Sequence, residues 1–418
     1  MRALSWLNDL IPNERGNVLV VGAAALPLML GAVALTVDSV NMTLAKRQLQ
    51  RTADSGALAG AYAIVQNQPV PGAVSRDLLL NQDLTLKTTT VENAPTAGPN
   101  VNDPQAVRVV LTADRKTPFM AMFNSRVPVI RAEATAAVIF NGQFCMVSLE
   151  EGNATGITFT GSSVVDLGCG VATNSRATNA VSCGGSTTVI ASPVAAVGGV
   201  PACSGYAAGT RRMPFSAKQS DPYARLPVPD ISGMNCTQQM KIQPNDPLTT
   251  KQPGCYRDID IKGRVNLAPG VYYVNGVTGM FDAGSQAVIS GTGVTIILTS
   301  STPTIPSTIA RLNINAQAQL NLSAPKTGTY GGVLMYQDPR AAVGNTVQIN
   351  GNSLTSYEGG FYFPKAYMTF NGTTGMNTEC LQLVARRLTF SGNSRVSNTC
   401  PADSDSDAFD ATFVRLVQ

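Results

Sequence analysis

No histidine occurs among the 418 residues, which removes the commonest general base and the commonest metal ligand together. Ser-His-Asp and Cys-His nucleophile systems and His-held metal centres are therefore excluded. Charge is scarce too: Asp, Glu, Lys and Arg make up 13% of the chain, and the formal net charge is +4. Apart from Lys46, Arg47 and Arg51 the basic residues are scattered, so no phosphate-tracking patch exists and no nucleic-acid partner is expected. Dense acidic clusters are missing as well. The acids near strand ends, Asp258, Asp260, Asp282, Asp338 and Glu358, stand singly, whereas a glycosidase needs paired carboxylates. No catalytic, cofactor or metal residue is assigned, and the chain is read as a non-enzyme.

What is present begins with an apolar run. From Val18 to Val37 there is no charged residue, which matches the roughly 20 residues needed to cross a hydrocarbon core about 30 Å thick. A cleaved signal peptide is the rival reading, but the run is longer than a typical signal core. Pro27 lies inside it, where a membrane helix is expected to kink and still be tolerated. Flanking charge does not orient the span, because Arg2 and Arg15 oppose Lys46, Arg47 and Arg51. Cysteine does: Cys145, Cys169, Cys183, Cys203, Cys236, Cys255, Cys380 and Cys400 all follow the run and none forms a C-x-x-C pair. Disulfides in an oxidising compartment are expected rather than zinc. The spacings within 183/203, 236/255 and 380/400 suggest sequential pairing.

Beyond Asp38 the chain stays free of proline to Val65 and rich in Ala, Leu and Gln. The spanning helix is expected to continue as an amphipathic stalk. Its candidate packing stripe is Ala24, Leu28, Gly31, Leu35, Met42, Leu49, Ala53 and Ala57, with small residues suited to close helix approach. Both a partner helix and the chain's own domain could receive it.

These residues carry a resemblance. Arg15-Gly16-Asn17, the apolar run with Pro27, Val37-Asp38, and Gln48-Leu49-Gln50-Arg51-Thr52-Ala53-Asp54-Ser55-Gly56-Ala57-Leu58-Ala59 resemble the N-terminal segment of the Tad/Flp pilus-assembly proteins of the TadE/TadG type. A second patch, Val129-Ile130-Arg131-Ala132-Glu133-Ala134-Thr135-Ala136-Ala137-Val138, is similar to the strand that closes the family's first domain. The resemblance implies a single-pass protein of the bacterial inner membrane with its C-terminal part periplasmic or carried into a pilus. It further implies a TadG-like minor pilin or pseudopilin working in assembly or tip adhesion. Expected partners are other pilus proteins along the N-terminal helix, the lipid bilayer, and host or surface glycans. Val21 stands five places after Gly16, where processed pilins carry Glu, which argues against a polymerising major pilin. The metal site of larger family members is also missing, and Asp403, Asp405 and Asp407 read as a solvated tail.

The fold class expected is α+β and membrane-anchored: a cytoplasmic start (1–16), a spanning helix (17–37), a stalk (38–68), a small pilin-like α/β module (69–142) and a strand-rich domain (143–418). Strands are expected at Val107 to Leu111 and Val129 to Phe140, around a short segment at Phe119 to Phe123. After Cys145, short β-branched runs alternate with Gly, Asn and Ser, and Asn-Gly or Ser-Gly corners recur at 275/276, 290/291, 350/351, 371/372 and 391/392. A parallel β-helix fits best, with a β-sandwich as the alternative. Ser192 to Gly233, rich in Pro and Gly and holding Cys203, Arg211, Arg212, Lys218 and Arg225, is too long for an ordinary connection. It is either a disulfide-tied excursion or a contact surface. The aromatic residues dense after residue 270 are assigned to packing rather than sugar gripping. A membrane-tethered β-helix that binds or cleaves polysaccharide is the alternative function.

Overall fold

The computed structural model describes residues 14–81, 84–98, 100–122, 126–351, 354–372, 375–393, 395–398 and 409–417. They form two compact units, one ending at Ile139 and regaining the chain from Val414, the other spanning Phe140–Phe413.

The first unit is organised by α1, Glu14–Val65, a single helix that continues through Pro27. Its second half buries Ala45, Leu49, Ala53, Ala57 and Ala61, a residue every four along one face. That face lies on an antiparallel sheet of β1 (Leu86–Asn93), β2 (Ala106–Asp114) and β3 (Val129–Ser148). The sheet answers with alternating small and branched residues, Val107, Val109 and Leu111 from β2 and Ala132, Ala134 and Ala136 from β3. Contact is close because a Cβ on Gly60 would come within 2.7 Å of Val107 Cγ1. A second helix, α2 (Val70–Asn81), starts with Pro71 in its first turn and seals the edge with Val70, Val74 and Leu78. Neither α2 nor β1 is among the expected elements. The stalk is thus not a free extension into solvent: from about Met42 onward it is the core helix of the module, which therefore does not begin at residue 69. The module is also closed from the far end of the chain, where Val417 N–H donates to Thr135 O at 2.8 Å.

The second unit is a parallel-stranded coil. Pairing runs from each strand to the third one after it. Asp258–Ile261 lies beside Phe281–Ala283 and that beside Leu312–Ile314; Arg264–Leu267, Val288–Gly291 and Gln319–Ser323 do the same on a second face. The third face holds Gly270–Asn275, Val294–Thr299 and Val333–Gln337. An antiparallel sandwich is therefore not what forms. Inward residues stack from coil to coil: Phe370 and Phe390 lie with ring centroids 5.2 Å apart, and Phe390 and Phe159 5.4 Å apart. The expected Asn-Gly corners fall in register, Asn350 with Asn371 and Gly351 with Gly372, followed by Gly392.

Coil order in space differs from coil order in sequence. The first coil, holding Met146–Ser148, Ile157–Phe159 and Val164–Asp166, pairs on one side with the last, Leu383–Ala385, Leu388–Phe390 and Arg395–Ser397. On its other side it pairs with Gly170–Thr173, Val181–Cys183 and Thr188–Ile190. The chain thus enters mid-stack, winds outward to Val194–Ala196 and Arg212–Met213, crosses to the far end at Gln239–Ile242, and winds back to the entry point. Glycines make the seam uniform. Gly161, Gly185 and Gly392 all have φ near +75°, at +77°, +73° and +72°, and a Cβ on Gly161 would meet Gly392 O at 2.7 Å.

The crossover is the proline-rich stretch that is too long for a turn. It lies along the third face as a strap, fixed by paired hydrogen bonds between Asn174 and Gln219 at 2.9 Å and by Tyr362 donating to Asp221 at 2.9 Å. Tyr223 donates to Gln382 at 2.6 Å, and Arg340 to Pro229 O at 2.6 Å. Beneath it, Val294–Thr299 and Val333–Gln337 are buried on both sides, as covered parallel strands are.

Candidate functional site

Helix α1 is divided in two by its surroundings. Among the eight stripe residues, Ala24, Leu28, Gly31 and Leu35 are exposed, while Leu49, Ala53 and Ala57 are buried against the module and Met42 is packed at its margin. Of the two receivers left open for this stripe, the chain's own module takes the lower residues, which are covered by the first unit's core. The upper segment carries Val20, Val21, Leu26, Leu28, Met29 and Leu30, all exposed. Among the described residues it makes one helix long and apolar enough to cross a membrane. Asp38 marks the change. Its buried carboxylate accepts from Met120 N–H at 2.6 Å and from Phe119 N–H at 3.4 Å.

The cysteines lie outside this region, in the coiled unit. Cys145 is joined to Cys169, Cys183 to Cys203 and Cys236 to Cys255, each to its neighbour along the chain. The first ties the entry coil to the next, and the second and third fasten the strap near its two ends. Cys380 is disulfide-bonded; Cys400 lies outside the described residues, as do Asp403, Asp405 and Asp407.

The single acids near strand ends are engaged locally. Asp258 accepts from Met280 N–H at 2.9 Å, Asp282 from Asn313 at 2.5 Å, and Asp260 pairs with Lys262 at 3.3 Å. These three border a groove of about 580 Å³ together with Ser307 and Arg311. Asp338 is fully buried and held by Arg340 at 2.6 Å and Thr299 at 2.8 Å, a structural pair beneath the strap. Glu358 is half-buried in register with Glu379.

Aromatic side chains do not make an open platform. Tyr272, Tyr336, Tyr357, Phe361 and Phe363 are buried, and burial raises the Tyr272 hydroxyl to about 12. The open face instead presents short polar side chains in register: Gln348, Thr369, Thr389, Thr158 and Ser182, one per coil and crossing the seam. Toward the other end the same line becomes acidic, through Asp260 and Asp282 to Asn313.

Glu150, unremarked in the sequence, locks the seam. Only 2% of its side chain is exposed; it accepts from Arg386 Nε at 3.0 Å and Arg387 Nε at 2.9 Å, both from the last coil. Burial pushes its carboxyl up, but Gly152 N–H and the two guanidiniums outweigh that and hold it below the ordinary glutamate value. The signal available in the sequence is the adjacent pair Arg386-Arg387, set between the apolar run Leu383–Ala385 and Leu388.

Residues 16–63 match the family described as "Putative Flp pilus-assembly TadE/G-like". That match covers the segment from the start of the apolar run to the buried half of α1. No curated protein matches the chain. Among solved structures, the Shewanella frigidimarina ice-binding protein_1 DUF3494 domain is similar at 15% identity and a TM-score of 0.21, over 62% of this chain and 95% of that one.

Proposed function

We propose that the protein is a TadG-like minor pilin or pseudopilin-type component of a Tad/Flp pilus. In this reading the exposed half of α1 is a single-pass inner-membrane anchor and the coiled unit lies outside the cytoplasm. The observation that carries the reading is the division of α1: one half is committed to its own module, while Ala24, Leu28, Gly31 and Leu35 remain uncovered within the matched segment. Without a hydrophobic drive between helices in lipid, association rests on close van der Waals packing, which Ala24 and Gly31 permit. Pilin helices are the partners that fit. The polar threonine line and the acidic groove are the surfaces offered to an external partner, glycans included, and the work is assembly and adhesion rather than catalysis. The disulfides suit the oxidising side of the membrane.

The experiment is Ala24→Asp and Gly31→Leu in the native host, scored by surface pili on electron micrographs and by crosslinking to pilins. Loss of pili with normal protein level is expected. Normal piliation and unchanged crosslinks would remove the reading. The alternative, a tethered β-helix acting on polysaccharide, is favoured only by the groove bordered by Asp258, Asp260, Asp282 and Arg311. Glycan binding or sugar release by the intact protein, abolished in Asp282→Ala, would favour it.

A further inference from the structure

We propose that the two described arms of the connection between β2 and β3, residues 115–121 and 126–129, are a second membrane contact, dipping apolar side chains into the headgroup and acyl boundary beside the point where α1 leaves the bilayer. The inference rests on reading α1 as a membrane anchor. Asp38 is the first charged residue after the Val18 to Val37 run, and a carboxylate is costly within hydrocarbon. Its level on α1 therefore marks the edge of the apolar layer. The same carboxylate accepts from the backbone N–H groups of Phe119 and Met120, which fixes the loop at that level. The loop's base is closed by Arg115 N–H donating to Pro128 O at 2.9 Å.

Four apolar side chains on these described arms face outward. Phe119 is 40% exposed, Met120 42%, Val127 41% and Val129 51%. Scattered exposure of this size is ordinary on a soluble surface. Four such residues at one end of the sheet, at the depth where an uncovered apolar helix ends, form a continuation of that apolar surface. Lys116 and Arg126 are exposed on the two arms of the loop, and basic residues with an aromatic ring are the composition favoured at anionic membrane interfaces. A bilayer is the occupant that meets both the helix and the loop at one plane. Two contacts would stop the module from tilting or swivelling about α1.

The test uses the full chain in nanodiscs containing anionic phospholipid. The single tryptophan, Trp6, is replaced in Trp6→Phe, and Phe119→Trp becomes the reporter. Blue-shifted emission is expected, with quenching by lipids brominated near the headgroup end of the acyl chains and little by lipids brominated at the chain ends. A dye sensitive to its surroundings on Val127→Cys should report the same shift without altering Phe119. Water-like emission without lipid quenching, in protein that resists alkaline extraction, would overturn the loop contact and leave the anchor standing. Emission that changes with the protein-to-lipid ratio instead of with lipid bromination would overturn it in favour of a neighbouring chain. Release of the protein by alkali would overturn both.

Discussion

Replacing Glu150 with glutamine tests whether the coiled unit is held closed where its first and last coils meet. The substitution keeps shape and volume but removes the charge that Arg386 and Arg387 share at this seam. Removing one partner of a buried ion pair costs about 3–5 kcal/mol. Here the arginine side chains are 29% and 31% exposed, so water recovers part of that, and about 2 kcal/mol is expected. Through the tenfold-per-1.4 kcal/mol rule this is about 30-fold faster amide exchange across the seam. Hydrogen exchange with mass spectrometry on the intact protein reads it directly, in peptides covering Met146–Ser148 and Leu383–Phe390, where the ladder crosses between coils. Peptides from Val294–Thr299, several coils away from the seam, should change much less. The pH dependence carries a sign. Because the folded carboxyl titrates below its ordinary value of 4.5, its stabilisation is complete above that value and is lost as pH falls through the folded one. Wild-type seam protection should therefore weaken in acid, and E150Q should lack that component. Seam exchange within threefold of wild type in E150Q, or wild-type protection flat through the acid range, would refute the reasoning.

Two further outcomes follow from packing. Phe390→Ala removes the middle ring of the Phe370–Phe390–Phe159 stack and should lower unfolding stability by about 3–5 kcal/mol in urea titration; a loss below about 1 kcal/mol would mean that the seam does not share one core. Ala57→Asp places a carboxylate on the fully buried face of α1 and should make the first module sensitive to limited proteolysis, whereas Ala24→Asp should leave it resistant; equal sensitivity of the two would sink the division of the helix.

The recurrence of the corners was legible because Asn-Gly and Ser-Gly are turn-prone dipeptides locally, whatever the rest of the chain does. Likewise the small-residue stripe of Ala53, Ala57 and Gly60 announced a close helix contact, but its partner could not be read. Gly60 packs against Val107 of β2, more than forty residues further along the chain. Helix α2 was hidden by Pro69 and Pro71, which end one helix and equally begin another. Asp38 gave no hint that it fixes a loop some eighty positions away.

The sequence by itself determined the apolar run, the absence of histidine and the repeating strand-and-corner texture, because each depends on residue type and short-range periodicity. Tertiary structure alone decided which half of α1 is occupied, that the coil is entered from its middle, and that Glu150, Arg386 and Arg387 meet. The physical reason is that inward-facing ladders are nearly interchangeable from coil to coil. Local pattern therefore specifies a coil but not its neighbour, and stacking order is fixed only when a ring, a glycine column and a buried ion pair must fit the same seam at once.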